Sequence, residues 1–331
     1  MKRILVVNVN WLGDTLFVTP FIRALKEHNP SAYIAVLTHP RCREILECNR
    51  SIDEIIVYNE KSQYLGFLSR FSMISKLRSK NFDTAFILRK SLSRTMMLFL
   101  SNIKERIGYD NRKSGFLLTK KVPLPEVKLH KVEYFLGLAK AVGIKPKNRH
   151  YEFFVSRDSE DDADRLLQKE GIRPDEEFIA MNAGGNWDLK RWPVENFIEL
   201  GSEASKRFNI KVVLTGAKKD VDLCNRIEKE MKHKPVVLCG KTDLKTLAAV
   251  FKRAKKVISN DSGPSHIAAG VGADVLVIFG PTDPNITGPC GRKVTILKKD
   301  VGCEVPCYRL LCKDNKCMKA VTVKDVLELI N

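Results

Sequence analysis

No apolar run in this 331-residue chain is long enough to cross a bilayer, which excludes a helical membrane-spanning protein. The apolar residues 4–7 that follow Lys2 and Arg3 are too few for the core of a signal peptide, no small-residue cleavage site comes after them, and they end in the polar stretch from Asn8 to Asn10. They read as a first buried strand, and the chain as one without an export signal. There is no Gly-x-Gly-x-x-Gly fingerprint of a dinucleotide site, and no glycine loop closes on the lysine and serine or threonine of a P-loop. Signatures of nucleic-acid binding are missing as well: no finger spacing, no helix-turn-helix pattern, no basic block interleaved with aromatics. Nine cysteines in a chain of this size, with no export signal, do not make a disulfide framework.

What is present is an ordinary globular composition, 44% hydrophobic and 29% charged, with a large excess of one sign. Lys plus Arg number 57 against 39 for Asp plus Glu, a formal charge of +18. That excess calls for an anionic partner or surface, and with nucleic-acid motifs absent, anionic lipid or a phosphorylated glycolipid fits it. In the first half the charge gathers at Arg89-Lys90, residues 104–106, Arg112-Lys113 and Lys120-Lys121. The competing explanation is a lysine-rich surface that serves solubility.

Periodicity sets the architecture. Residues 4–9 read as a strand, a loop runs through Asp14, and a helix follows to about His28, with Leu16, Phe17, Phe21, Ile22 and Leu25 at helical spacing. Strands at 33–37, 55–57 and 84–88 and a helix over 67–77 continue a βαβ rhythm, while 112–128, with Gly115, Pro123 and Pro125, reads as a loop. Between Lys145 and Asp175 the rhythm breaks, bracketed by Pro146 and Pro174. A second series begins at 178–181 and runs through strands at 210–214, 236–238, 257–259 and 275–279 with helices over 194–208, 220–231 and 244–251. The fold class is α/β: two doubly wound parallel-sheet domains, 1–160 and 161–331, expected to face each other across a cleft, with a C-terminal helix that could pack back on the first.

The chemistry concentrates in loops that follow strands of the second series, where such sheets bind ligands. Asp261-Ser262-Gly263-Pro264-Ser265-His266 lies between an apolar strand and a helix. Gly263 permits close backbone approach, Pro264 suits a helix start, and the helix amides would face a phosphate. Asp261 suits a neutral donor such as a ribose hydroxyl better than the phosphate. The plainer reading is an Asx turn with an N-cap and His266 packed in the first turn. Residues 182–193 join the glycine pair Gly184-Gly185 to Lys190 and Arg191: Lys190 would neutralise a diphosphate, and Arg191 would share that work or pair internally. Thr215 and Gly216 lead to Asp220, a carboxylate placed to hold a ribose diol.

These loops and the opening segment carry a resemblance. Residues 4–20 with Gly13-Asp14, residues 182–193 with Lys190 and Trp192-Pro193, Thr215-Gly216 through Asp220, Asp261 through Ala268, and Phe279-Gly280-Pro281-Thr282-Asp283-Pro284 resemble the ADP-heptose:lipopolysaccharide heptosyltransferases over nearly the whole length. Asp220 stands where that family more often has glutamate. The resemblance implies the GT-B fold of two Rossmann-like domains and inverting transfer of heptose from ADP-heptose to a lipopolysaccharide inner-core acceptor, with ADP as product and no cofactor or catalytic metal. It assigns Asp14 as the base that deprotonates the acceptor hydroxyl and Lys190 as the cation on the leaving diphosphate. Gly184, Arg191, Thr215, Gly216, Asp220, Asp261, Ser262, Gly263, Ser265 and His266 become donor-binding candidates. The implied partners are a nucleotide sugar and an anionic glycolipid bearing lipid A and the first core sugars. A transient membrane-surface contact at the cytoplasmic face of the inner membrane goes with them, and no nucleic acid. Asp14, just before Thr15, also fits a simple N-cap. Alternatives are a transferase or epimerase of the same fold using another nucleotide sugar, or a two-domain binding protein without catalysis. Cys303, Cys307, Cys312 and Cys317 lack the paired two-residue intervals of a zinc ribbon and read as free thiols or one or two disulfides ahead of zinc.

Overall fold

The computed structural model describes residues 2–59, 66–307, 309 and 311–330, and the chain divides into two compact units, Met1–Phe154 and Val155–Asn331. The division falls six residues before the boundary that the sequence pattern suggests. The charged helix Arg157–Lys169, part of the expected connector, belongs to the second unit.

The first unit runs β1 (Arg3–Val7), α1 (Leu12–His28), β2 (Tyr33–Thr38), α2 (Arg43–Leu46), β3 (Glu54–Val57), α3 (Gly66–Ser79), β4 (Thr84–Ile87), α4 (Leu92–Leu100), β5 (Glu105–Tyr109), β6 (Lys120–Val122) and α5 (Lys131–Lys140). All six strands are parallel, in the order β3-β2-β1-β4-β5-β6. The central strands β1 and β4 are buried along almost their whole length, which is why they read as unbroken apolar runs instead of alternating patterns. The loop reading of residues 112–128 is corrected at β6. Lys120 and Lys121 are exposed and only Val122 is buried, the composition of a short edge strand, so no apolar periodicity announces it.

The second unit runs α6 (Arg157–Lys169), β7 (Phe178–Asn182), α7 (Val194–Phe208), β8 (Lys211–Thr215), α8 (Val221–Glu230), β9 (Val236–Val237), α9 (Leu244–Arg253), β10 (Lys256–Asn260), α10 (Gly263–Gly270), β11 (Val275–Phe279), α11 (Pro284–Thr287), β12 (Val294–Lys298), α12 (Lys316–Lys319) and α13 (Val323–Leu327). Its parallel sheet has the order β12-β11-β10-β7-β8-β9. Strands β7, β8 and β9 build outward on one side and β10, β11 and β12 on the other, so the order reverses between β7 and β10. The C-terminal helix buries Val323, Val326 and Leu327, with Ile330 beyond it, in this unit's core, and Val321 O accepts a 2.8 Å bond from Trp192 Nε1. Those apolar residues complete the second unit's core.

Candidate functional site

In a doubly wound sheet the chain leaves adjacent strands in opposite directions at the switch point, and the crevice there opens at the carboxyl ends of the strands. In the second unit that crevice is flanked by the loop after β7, holding Gly184 through Pro193, and the turn after β10, holding Asp261 and Ser262. Two buried asparagines fasten it. Asn260 Oδ1 accepts from Trp192 N at 2.9 Å, and its Nδ2 donates to Ala183 O at 2.8 Å. Asn182 Nδ2 donates to Thr215 O at 3.1 Å, tying β7 to β8. Trp192, buried and edge-on to Phe197 at 5.1 Å, anchors the far end of the loop. Asn182 opens the nominated loop 182–193 and Asn260 directly precedes Asp261, but the sequence assigns neither a role; their signal is a polar residue closing an otherwise apolar strand.

Across the crevice Lys190 Nζ lies 2.6 Å from Asp261 Oδ2. The Asp261 side chain is only 4% exposed, and the same oxygen accepts from Thr282 Oγ1 at 2.5 Å, bringing in the loop after β11. A nearly buried carboxylate is tolerable when a cation and a hydroxyl satisfy it, and both do here. Thr282 lies in the Gly280–Pro284 motif, where nothing in the sequence marks it above its neighbours; its placement over Asp261 makes it part of the site.

Beside Asp261 the helix α10 begins. Ser262 holds its N-cap position with extended backbone, yet its hydroxyl makes no capping bond, and its buried Oγ finds no partner among the described residues. A Cβ built on Gly263 would meet nothing within 4 Å, so the first turn is open to close approach. Unpaired polar groups at an open helix N-terminus are the elements of an anion site. Ser265 turns inward: its N–H and Oγ both donate to Ser262 O at 3.1 and 2.7 Å, and its side chain is fully buried. His266 is buried in the same turn.

The remaining candidates divide. Asp220 Oδ2 accepts from Ala217 N at 3.1 Å and sits under the β7 loop: a Cβ on Gly184 would come within 2.6 Å of its carboxylate. Gly184, Gly216 and Asp220 are thus one packed unit at the carboxyl edge. Thr215 is fully buried, receives Asn182 Nδ2 and donates to Met181 O, so it serves the sheet, because its side chain points between strands and not from their ends. Arg191 takes the internal option, donating to Gly185 O at 2.6 Å and pairing with Asp188 at 3.1 Å.

Asp14 lies in the first unit, at the carboxyl edge of its sheet, where β1 and β4 flank the reversal of strand order. It does not cap α1: Trp11 is the N-cap, and Asp14 is in the first helical turn. Its carboxylate is half-buried and accepts no hydrogen bond from a described residue. Burial pushes its pKa above the ordinary 3.8, opposed by the positive charge of Lys131. The loop before it is held from β4's side: the fully buried Arg94 donates to Asn8 O at 2.9 Å and Asn10 Oδ1 at 3.0 Å. An unpaired carboxylate of raised pKa on a braced turn is equipped to take a proton.

No disulfide joins any of the nine cysteines, and among the described residues no group of three or more His, Cys, Asp or Glu side chains is placed to hold a metal ion.

Two doubly wound parallel-sheet units, one carrying an anion-type crevice, define a GT-B glycosyltransferase fold. The family model of glycosyltransferase family 9 (heptosyltransferase) matches residues 70–317, and the chain belongs to that family. It is 25% identical over 310 residues to lipopolysaccharide heptosyltransferase 2 of Salmonella typhimurium, covering 91% of this chain and 89% of that protein. With lipooligosaccharide heptosyltransferase 2 of Campylobacter jejuni it shares 26% over 331 residues, covering 97% and 95%. Among solved structures it is similar to a family 9 glycosyl transferase from Veillonella parvula, with a TM-score of 0.88, 23% identity and coverage of 99% and 95%. E. coli ADP-heptose heptosyltransferase II gives a TM-score of 0.79 at 23% identity, covering 99% and 97%.

Proposed function

We propose that this chain is an inverting heptosyltransferase that moves heptose from ADP-heptose to an anionic inner-core glycolipid, at the cytoplasmic face of the inner membrane. The observation that carries the reading is the Lys190–Asp261 pair beside the open N-terminus of α10. A donor diphosphate laid over Gly263 offers Lys190 a stronger anionic partner than one carboxylate. Asp261, still held by Thr282, then accepts from sugar or ribose hydroxyls. As the glycosidic bond breaks, charge gathers on the diphosphate, so a fixed ammonium and helix amides stabilise the transition state more than the bound donor. Asp14 takes the proton of the acceptor hydroxyl while its oxygen attacks the anomeric carbon and ADP leaves from the opposite face, a single displacement with inversion. No step calls on a metal or cofactor.

The relatives' names and the shared family support heptose as the sugar, the name of a similar solved structure supports ADP-heptose as its carrier, and the charge of +18 supports an anionic acceptor. The test follows ADP release from purified chain, ADP-heptose and truncated lipopolysaccharide acceptors. Release that requires acceptor, with heptose found on the glycolipid, supports the reading. ADP release or sugar interconversion without acceptor means a hydrolase or epimerase; binding without turnover across donors and acceptors means a binding protein.

A further inference from the structure

Helix α4 of the first unit is amphipathic in an unusual sense. One face, with Arg94, Thr95, Met97 and Leu98, is buried in the unit, yet the opposite face is also apolar: Leu92, Met96, Phe99 and Leu100 stand exposed, Phe99 at 49%. Phe116, on the neighbouring turn Gly115–Leu117, is 67% exposed. Single exposed hydrophobics need no explanation, but a helical row at i, i+4 and i+7 does. The row is edged by cations. Arg106 places its guanidinium 5.3 Å from the Phe99 ring centroid, and Arg78 donates to Leu100 O at 2.6 Å. Across residues 66–121 there are thirteen Lys or Arg against three Asp or Glu. Two of those three acids are engaged: Asp83 accepts from the amides of Lys2 and Arg3, and Glu105 from Thr84.

We propose that this face of α4, with Phe116, docks on an anionic phospholipid bilayer, the apolar row entering the headgroup boundary while the flanking cations meet lipid phosphates. Apolar side chains rimmed by Lys and Arg, with little acidic charge to repel the surface, are the chemistry of an interfacial anchor. A second protein or a second copy would need acidic or apolar complementarity, and the uniform basic rim disfavours this strongly basic chain pairing with itself through it. The row starts at the sheet edge that carries Asp14. Arg94, in the first turn of α4, is bonded to Asn8 and Asn10 of the loop before α1, where Trp11 is 66% exposed. A bilayer on this face therefore lies next to the end of the sheet where Asp14 would meet a lipid-borne acceptor, and this last step rests on the transferase reading.

The experiment uses the full chain and vesicles of phosphatidylcholine with or without phosphatidylglycerol, containing no glycolipid and no nucleotide sugar, so docking and transfer can fail separately. Co-sedimentation should depend on phosphatidylglycerol and weaken with salt. Met96→Ser/Phe99→Ser and, separately, Lys90→Glu/Lys104→Glu should each reduce binding by about tenfold or more. These side chains are exposed, and an unchanged thermal midpoint confirms that the variants fold. Equal binding to both vesicle types, or variants that bind like the parent, overturns the proposal. So does self-association without lipid that Met96→Ser/Phe99→Ser abolishes, because the face then belongs to a second copy.

Discussion

Lys190 Nζ lies 2.6 Å from Asp261 Oδ2, joining the loops that leave the two strands between which the second sheet reverses its order. The pair holds the crevice together before any donor arrives, and each partner also has a use once one does.

Removing the cation alone should therefore be costly. Lys190→Met leaves a carboxylate that is 4% exposed with Thr282 as its remaining partner, and the second unit should lose about 3 kcal/mol in a urea titration. Adding Asp261→Asn should restore most of that loss, because no buried charge is left unpaired. Both variants should bind ADP more weakly, by about 1–3 kcal/mol on calorimetry, and adenosine nearly as well as the parent. Equal losses for ADP and adenosine would remove Lys190 from the phosphate.

Asp14→Asn should leave donor affinity intact and lower transfer by about a hundredfold or more. Its raised pKa also fixes signs. The acid limb of transfer should lie above the ordinary Asp value of 3.8, and Lys131→Met should move it higher still, since Lys131 opposes the effect of burial. Between the unfolded and folded pKa values the native state binds the extra proton, so stability falls as pH rises through that interval. Asp14→Asn should abolish this fall, gaining stability at neutral pH and nothing below about pH 3.8. Denaturation midpoints at acid and neutral pH check it; a gain of the same size at both would leave burial of the charge without effect.

Much of this site is legible in the order of residues, and the reason is physical. Glycines, a proline and charged residues directly after unbroken apolar runs mark the carboxyl ends of buried parallel strands, and the loops at Gly184, Asp220 and Asp261 all carry that mark. Partnership is what the order of residues hides. Nothing in sequence spacing pairs Lys190 with Asp261 across 71 positions, or brings Thr282 onto the same oxygen. Nor does it say that Thr215 and Ser265 turn inward. Strand β5 escapes notice because Glu105, Arg106 and Gly108 interrupt its apolar pattern. At Gly108 a Cβ would stand 3.2 Å from Ile87 O, so the close strand contact has no side chain to advertise it.

Two glycines separate fold from ligand. Gly184→Ala would place a Cβ 2.6 Å from the Asp220 carboxylate, so the loop must shift, and both stability and ADP affinity should drop. Gly263→Ala meets nothing within 4 Å, so its thermal midpoint should stay near the parent's while ADP affinity falls, if the diphosphate lies where the added methyl projects. Retained ADP affinity in Gly263→Ala would move the phosphates away from α10.

At the C-terminus the cap of α13 links the last helix to acid stability. Thr322 Oγ1 accepts from Asp325 N at 3.2 Å, and Asp325 Oδ2 accepts from Thr322 N at 2.9 Å, a reciprocal capping box. Lys299 Nζ reaches Asp325 Oδ1 at 2.7 Å. The Lys299 bond, then the Thr322 amide and hydroxyl, hold the Asp325 pKa down at about 2. A carboxylate with a depressed folded pKa contributes stability that is fully present above its unfolded value of 3.8 and is lost as pH falls toward 2. Asp325→Ala should cost about 1 kcal/mol at neutral pH, as expected for a helix cap, with solvent screening limiting the ion pair's share. The helix supplies Val323, Val326 and Leu327 to the core that also holds Trp192 and hence the Lys190 loop, so the variant should also loosen ADP binding. Urea midpoints of parent and variant should converge between about pH 4 and 2; a gap that stays constant over that range would show that Asp325 does not titrate with its cap.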